Sequence, residues 1–160
     1  MESPIGKLKI EENGKAITAL HICKDEDDES DTKCESEEVH RICYETSLLQ
    51  EAKRQLEEYF AGERKEFDLP IFLHGTDFQK KVWNALLTIP YGNTLSYGEV
   101  AAQIGNPKAS RAVGGANNKN PIMIIVPCHR VIGANGDLTG FACGLSAKEY
   151  LLKLENGRIN

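Results

Sequence analysis

The stretch Ile124-Ile125-Val126-Pro127-Cys128-His129-Arg130-Val131-Ile132 constrains this chain more than any other. A short apolar, β-branched run reads as a buried strand. Pro127 cannot donate to a strand ladder, so it breaks or bends the run and leaves Cys128 at a rigid turn between packed segments. A free thiol has a pKa of about 8.5, so a thiolate at neutral pH needs a base or a cation close by. His129 is adjacent, Arg130 follows, and Gly133, Gly136, Gly140 and Gly144 come after. The plain alternative is that Cys128 is a small buried hydrophobe. Neighbouring strand residues face opposite sides, so contact between Cys128 and His129 requires a tight turn or a bridging water.

A length of 160 residues allows one ordinary domain or two small ones, with a real core. The 41% hydrophobic and 27% charged content describes a soluble globular chain. No apolar run approaches the roughly 18 residues of a membrane span, and the first residues lack a signal-peptide pattern. The expectation is a cytoplasmic protein, or a nuclear one in a eukaryote. The five cysteines are odd in number and irregularly spaced, which disfavours a disulfide framework. Cys23, Cys34 and Cys43, with His21 and His40, lack a CxxC pair, so no metal is expected there. The net charge of −5 hides an asymmetry: residues 1–76 carry 10 Lys/Arg and 19 Asp/Glu, whereas residues 77–160 carry 9 and 5. The acidic first part and basic second part leave room for a polyanionic partner at the C-terminal half.

Residues 4–10 and 16–22 alternate as half-buried strands, and Asn13-Gly14 between them signals a two-residue hairpin turn. Residues 24–38 hold nine acidic side chains and read as a solvated loop. Leu48 to Phe60 has helical spacing and Gly62 suits its C-terminal cap, after which Phe67, Leu69 and Ile71 alternate as a third strand. Thr76 or Asp77 can cap a helix through Val82, Trp83, Leu86 and Leu87 that stops at Pro90. Ser96 and Glu99 form a capping box for a second helix, ending at Gly105-Asn106-Pro107, and a third begins near Lys108. The last two make a helix-turn-helix candidate whose second helix is small-sided and basic. Ser146 and Glu149 suggest another capping box, opening a helix that carries Leu151, Leu152 and Leu154 and ends at Glu155. There a carboxylate opposes the helix dipole, unless it is held to orient His129.

The series Tyr91-Gly92, Ser96-Tyr97, Gly105-Asn106-Pro107-Lys108-Ala109, Arg111-Ala112-Val113-Gly114, Asn120-Pro121, Pro127-Cys128-His129-Arg130-Val131, Lys148, Leu152 and Glu155 resembles the O6-alkylguanine-DNA alkyltransferases. These are also called methylated-DNA–protein-cysteine methyltransferases. The matches run through essentially all of residues 77–156, and the PCHRV core is highly specific. The resemblance implies an α+β protein. Its N-terminal α/β domain, ribonuclease H-like and spanning 1–74, would carry the acidic loop. A mostly helical domain over 75–160 would carry a winged-helix-like helix-turn-helix and the active-site turn.

The resemblance further implies a suicide enzyme without a cofactor. Cys128 would take the alkyl group from O6 of guanine, and also from O4 of thymine, in one irreversible step. His129 would act as the base through a water, Glu155 would orient the imidazole, and Asn120 would hold the turn. Tyr97 would turn the target phosphate and protonate the leaving guanine. Arg111 would fill the space of the extruded base, with Asn106, Ala109, Ser110 and Arg130 also on the DNA. Val131, Phe141, Ala142 and Cys143 would line the pocket. The partner would be double-stranded DNA entered from the minor groove with the damaged base flipped, bound by a monomer.

One departure from the family pattern is Gly140-Phe141-Ala142-Cys143-Gly144, where a Tyr and a Gly are usual. Cys143 adds a side chain to the pocket wall, so benzyl adducts are expected to react more slowly relative to methyl, and Cys143→Gly to restore the ratio. Three other readings compete. A non-transferring alkyltransferase-like reader would lack the acceptor cysteine. A helix-turn-helix regulator would need a dimer or effector domain, and a cysteine hydrolase would need an oxyanion site.

Overall fold

The computed structural model describes residues 1–23, 46–138 and 144–157. Two strands open the chain, β1 (Leu8–Glu12) and β2 (Ile17–Ile22), paired antiparallel with Leu8 opposite Ile22 and Ile10 opposite Leu20. Their alternation buries Leu8, Ile17 and Leu20 on one face. The connection differs from the expected two-residue turn. Only Gly14 takes a positive φ, of 90°, while the Asn13 side chain accepts from the backbone of Lys15 and Ala16, and the register slips between Glu11 and Glu12. The Asn side chain closes a longer loop by itself, as Asx turns do.

Helix α1 (Ser47–Phe60) is capped by Thr46 and buries Ala52, Gln55, Leu56 and Tyr59 against the hairpin. The expected third strand reduces to one parallel bridge between Ile17 and Ile71. Gln55 accounts for the irregularity. Its carboxamide takes the Asp68 N–H and donates to the Asp68 carbonyl, satisfying backbone groups that a ladder would otherwise use.

Helix α2 (Asp77–Leu86) carries the Thr76–Gln79 capping box and buries Val82, Trp83, Ala85 and Leu86. Strand β3 (Leu95–Ser96) runs into α3 (Tyr97–Gln103), whose Ser96–Glu99 capping box is formed. Gly105, at φ 83°, turns the chain toward α4 (Ser110–Asn118). Helices α2, α3 and α4 pack on one another, and the Trp83 indole donates to the Ala116 carbonyl at 2.9 Å. β3 pairs in parallel with β4 (Val131–Ile132), so the start of α3 lies beside the segment leaving the Cys-His turn. The last helix, α5 (Leu145–Glu155), has Gly144 at its N-cap without a side-chain cap, so the expected Ser146–Glu149 box is not formed. The helix begins two residues too early for Ser146 to cap it.

The acidic run 24–38, Cys34, His40, Cys43 and the segment Phe141, Ala142, Cys143 lie outside the described residues. Among the described residues no group of His, Cys, Asp and Glu could hold a metal, and no helix is long and apolar enough to cross a membrane.

Candidate active site

The run Ile124-Ile125-Val126 is buried, as its composition demands, but it is not a strand. Ile124 takes φ 69°, and the Ile125 N–H donates to the Met123 carbonyl at 2.8 Å, closing a γ-turn of the rare positive-φ kind. Three residues on, Pro127 sits at φ −80°, ψ 66°, and the Cys128 N–H donates to the Val126 carbonyl at 2.8 Å, an inverse γ-turn. A buried segment needs all its backbone groups paired; here successive turns do this locally, with help from two asparagines. Asn120 accepts from the Ile122 N–H and donates to the Val126 carbonyl. Asn117, on the buried face of α4, donates to the Cys128 carbonyl at 3.3 Å.

The two turns deliver Cys128, His129 and Arg130 into a single 3-10 turn, all three buried. The turn removes the difficulty of opposed strand neighbours, because one tight turn presents all three side chains to the same interior. His129 Nε2 lies 2.7 Å from Glu155 Oε1, and both side chains are fully buried. Arg130 holds the same carboxylate through Nε, 2.9 Å from Oε2, and Nη2, 2.8 Å from Oε1, while its Nη1 donates to the Ile89 carbonyl. The Tyr59 hydroxyl donates to Oε1 at 2.8 Å. The backbone N–H of Gly92, at φ 81°, points at Oε2 from 3.4 Å.

Electrostatics assign the protons. Burial alone would raise the Glu155 pKa, but hydrogen bonds and charge from His129 and Arg130 outweigh it and hold the carboxyl down at about 2. Burial pushes His129 below the ordinary imidazole range against the pull of Glu155, and the Arg130 and Lys148 charges add to that lowering. Arg130 already compensates the carboxylate, so Glu155 orients the ring without needing it protonated. A neutral ring with Nε2–H on Glu155 leaves Nδ1 as the acceptor, and Nδ1 has no hydrogen-bond partner among the described residues. In that form the ring can accept a proton at Nδ1.

Lys148 is the other buried charge. It projects from the core face of α5, donates to the Val131 carbonyl at 2.5 Å and stands 5.8 Å from the centre of the Tyr97 ring. Burial lowers its pKa, and the Cys128 charge counteracts. Tyr97 itself is half-buried at the first position of α3, and a Cβ on Gly114 of α4 would meet its ring at 3.8 Å.

Asn106 and Arg111 are exposed, and Ala109 and Ser110 are half-buried at the start of α4. They share the helix-turn-helix. Arg130 does not join them: its side chain is 8% exposed and its guanidinium is engaged inside the protein, which corrects its expected place on DNA. A guanidinium beside a buried carboxylate pairs with it, because neither charge can otherwise be desolvated cheaply. Val131 is fully buried in β4. Sequence reasoning missed Tyr59, Asn117 and any role for Lys148. All three are polar side chains on the buried face of a helix, and that misplacement was their signal.

The fold and site define a protein with a buried cysteine, an imidazole–carboxylate pair behind it, and a helix-turn-helix in the same C-terminal half. Residues 1–73 match the ribonuclease-like domain of 6-O-methylguanine DNA methyltransferase, and residues 77–157 match its DNA-binding domain. The chain is 56% identical over 156 residues to a methylated-DNA–protein-cysteine methyltransferase of Methanosarcina acetivorans, covering 96% of this chain and 94% of the relative. It is 50% identical over 156 residues to the constitutive methyltransferase of that name from Bacillus subtilis, covering 96% and 92%. Among solved structures, the Mycobacterium tuberculosis O6-methylguanine methyltransferase superposes with a TM-score of 0.82 at 48% identity, covering 100% of this chain and 92% of that one. The same organism's protein in complex with DNA gives 0.81 at 48%, covering 99% and 91%. The chain belongs to the 6-O-methylguanine DNA methyltransferase family.

Proposed function

We propose that this chain repairs DNA by direct reversal, moving an alkyl group from O6 of guanine to Cys128 in a single irreversible turnover. The observation that carries this reading is the fully buried contact of His129 Nε2 with Glu155 Oε1 at 2.7 Å, with His129 Nδ1 unpaired among the described residues, next to a cysteine fixed in a turn. His129 takes the thiol proton through a water. Sulfur then attacks the alkyl carbon, the S–C bond forms as the C–O6 bond breaks, and the electron pair stays with guanine. Tyr97 supplies the proton that the departing guanine takes up. No cofactor enters, and because the thioether is stable the protein is consumed.

A thiol cannot reach O6 inside stacked bases, so the target nucleotide must leave the helix. Helix α4 enters the minor groove, where its small exposed side chains, Ala112 and Gly115, permit close approach to the backbone. Arg111 fills the gap left by the flipped base, and Asn106, Ala109 and Ser110 meet the phosphates. Val131 bounds the pocket. O4-alkylthymine is a second substrate of the same geometry. The chain acts as a monomer in the cytoplasm or nucleus, and divides functionally into 1–74 and 75–160.

The test is intact-protein mass after incubation with a duplex carrying one O6-methylguanine. A gain of about 14 Da, absent in Cys128→Ser, establishes transfer and acceptor together. A chain that binds the damaged duplex but gains no mass would instead be a reader.

A further inference from the structure

Resting on that reading, we propose that Tyr59 is a positioning residue for the transfer: its hydroxyl shares Glu155 Oε1 with His129 and so sets how strongly the carboxylate holds the imidazole. Tyr59 comes from α1 in the N-terminal half, 96 positions from Glu155, and is fully buried. Its ring packs on Phe67 at 5.4 Å and edge-on to Tyr91 at 6.1 Å between centres. Those rings would be equally content with a phenylalanine. The hydroxyl needs a separate reason, since a buried O–H is costly unless it is paired.

Glu155 Oε1 receives four donors, His129 Nε2 at 2.7 Å, Arg130 Nη2 at 2.8 Å, Tyr59 Oη at 2.8 Å and, more distantly, Arg130 Nε at 3.2 Å. An oxygen shared among several donors is less basic toward each of them. Burial and the neighbouring carboxylate both push the Tyr59 pKa far up, so the phenol stays protonated and donates. Deleting the hydroxyl returns electron density to Oε1, which tightens its hold on His129 and favours the imidazolium. The charged and titratable groups facing this pair are Arg130 from the same turn, Lys148 from α5, Cys128, and Tyr91 from the loop before β3. Arg130 and Lys148 are cations that oppose imidazolium formation, and both remain in a Tyr59→Phe variant. The sign is therefore set by the carboxylate: the His129 pKa rises, and the acid limb of the rate profile, which needs a neutral base, moves to higher pH.

The experiment is single-turnover methyl transfer from an O6-methylguanine duplex by full-length wild type and Tyr59→Phe across the acid range, with duplex affinity measured alongside. Expected are an acid limb displaced upward by about half a pH unit and unchanged affinity, since Tyr59 donates to Glu155 and not to α4. A rate lowered by one factor at every pH would mean that the residue only packs, and an unchanged profile would mean that the hydroxyl is idle; either overturns the proposal. The His129 Nε2–H proton resonance gives a readout independent of activity, and it should move downfield in Tyr59→Phe. If wild type transfers no alkyl group, the functional reading fails, while this resonance still decides whether Tyr59 tunes the pair. An unmoved resonance overturns the proposal on its own.

Discussion

Replacing Arg130 by Met removes a charge from the centre of the molecule while keeping most of the side-chain volume. The Arg130 side chain is 8% exposed and its partner carboxylate fully buried, so almost no solvent relieves what is left behind. Lost are the Nε and Nη2 bonds to Glu155 and the 2.6 Å bond from Nη1 to the Ile89 carbonyl. Breaking a buried pair by removing one partner costs about 3–5 kcal/mol, a large share of the roughly 5–15 kcal/mol that holds a domain folded. Urea unfolding should show the midpoint falling accordingly with an unchanged slope. Most of that cost is the stranded charge, so Arg130→Met with Glu155→Gln should be more stable than the single effects added, by about 2 kcal/mol. The salt dependence of binding to undamaged duplex should not change, whereas a phosphate contact would reduce the slope by about one. A loss below about 1 kcal/mol, strict additivity, or a reduced slope would each refute the assignment of Arg130 to the interior.

Three further outcomes follow from the geometry. Glu155 has a pKa of about 2 against an ordinary 4.5, so its contribution is full above pH 4.5 and is lost as pH falls toward 2. This loss is on the order of 3 kcal/mol, and urea midpoints of Glu155→Gln should be flatter than wild type over that window. Ile124 is buried at φ 69°, so Ile124→Ala and Ile124→Gly lose similar packing but only Gly relieves the backbone. Gly should be the more stable by about 1 kcal/mol, reversing the usual order, and calorimetry showing Ala ahead would remove the strain argument. Arg111→Ala should slow transfer from duplex DNA while leaving reaction with the free O6-alkylguanine base unchanged; equal loss on both would place Arg111 in the chemistry.

Local signals carried the starts of α2 and α3 well, because Thr76 and the Ser96–Glu99 box are caps that need no tertiary information. The pairing of His129 with Glu155, 2.7 Å apart, was expected from the resemblance. The Ile124–Val126 run was misread because composition reports burial and not backbone path: β-branched residues are as apolar in a γ-turn as in a strand. The pairings Tyr59–Glu155 and Asn117–Cys128 were illegible for a different cause. Each joins groups whose separation in sequence says nothing of their separation in space. Arg130 shows the converse: the resemblance put it on DNA, and the structure turns its guanidinium inward onto Glu155.

The N-terminal half acquires a mechanical part in the site from these contacts. A positive φ at a β-branched residue persists only where its surroundings over-determine it. On one side of Ile124 stands Asn120, fixing Ile122 and Val126. On the other stands β2, where Leu20 accepts from the Met123 N–H at 3.0 Å and donates to the Pro121 carbonyl at 2.9 Å. The hairpin therefore grips the segment just upstream of the strained residue, while α1 reaches the far end of the site through Tyr59. A nucleophile used once gains nothing from mobility that would speed product release. Rigid placement of the sulfur serves it better, and a chain that holds its acceptor turn from both halves supplies that placement.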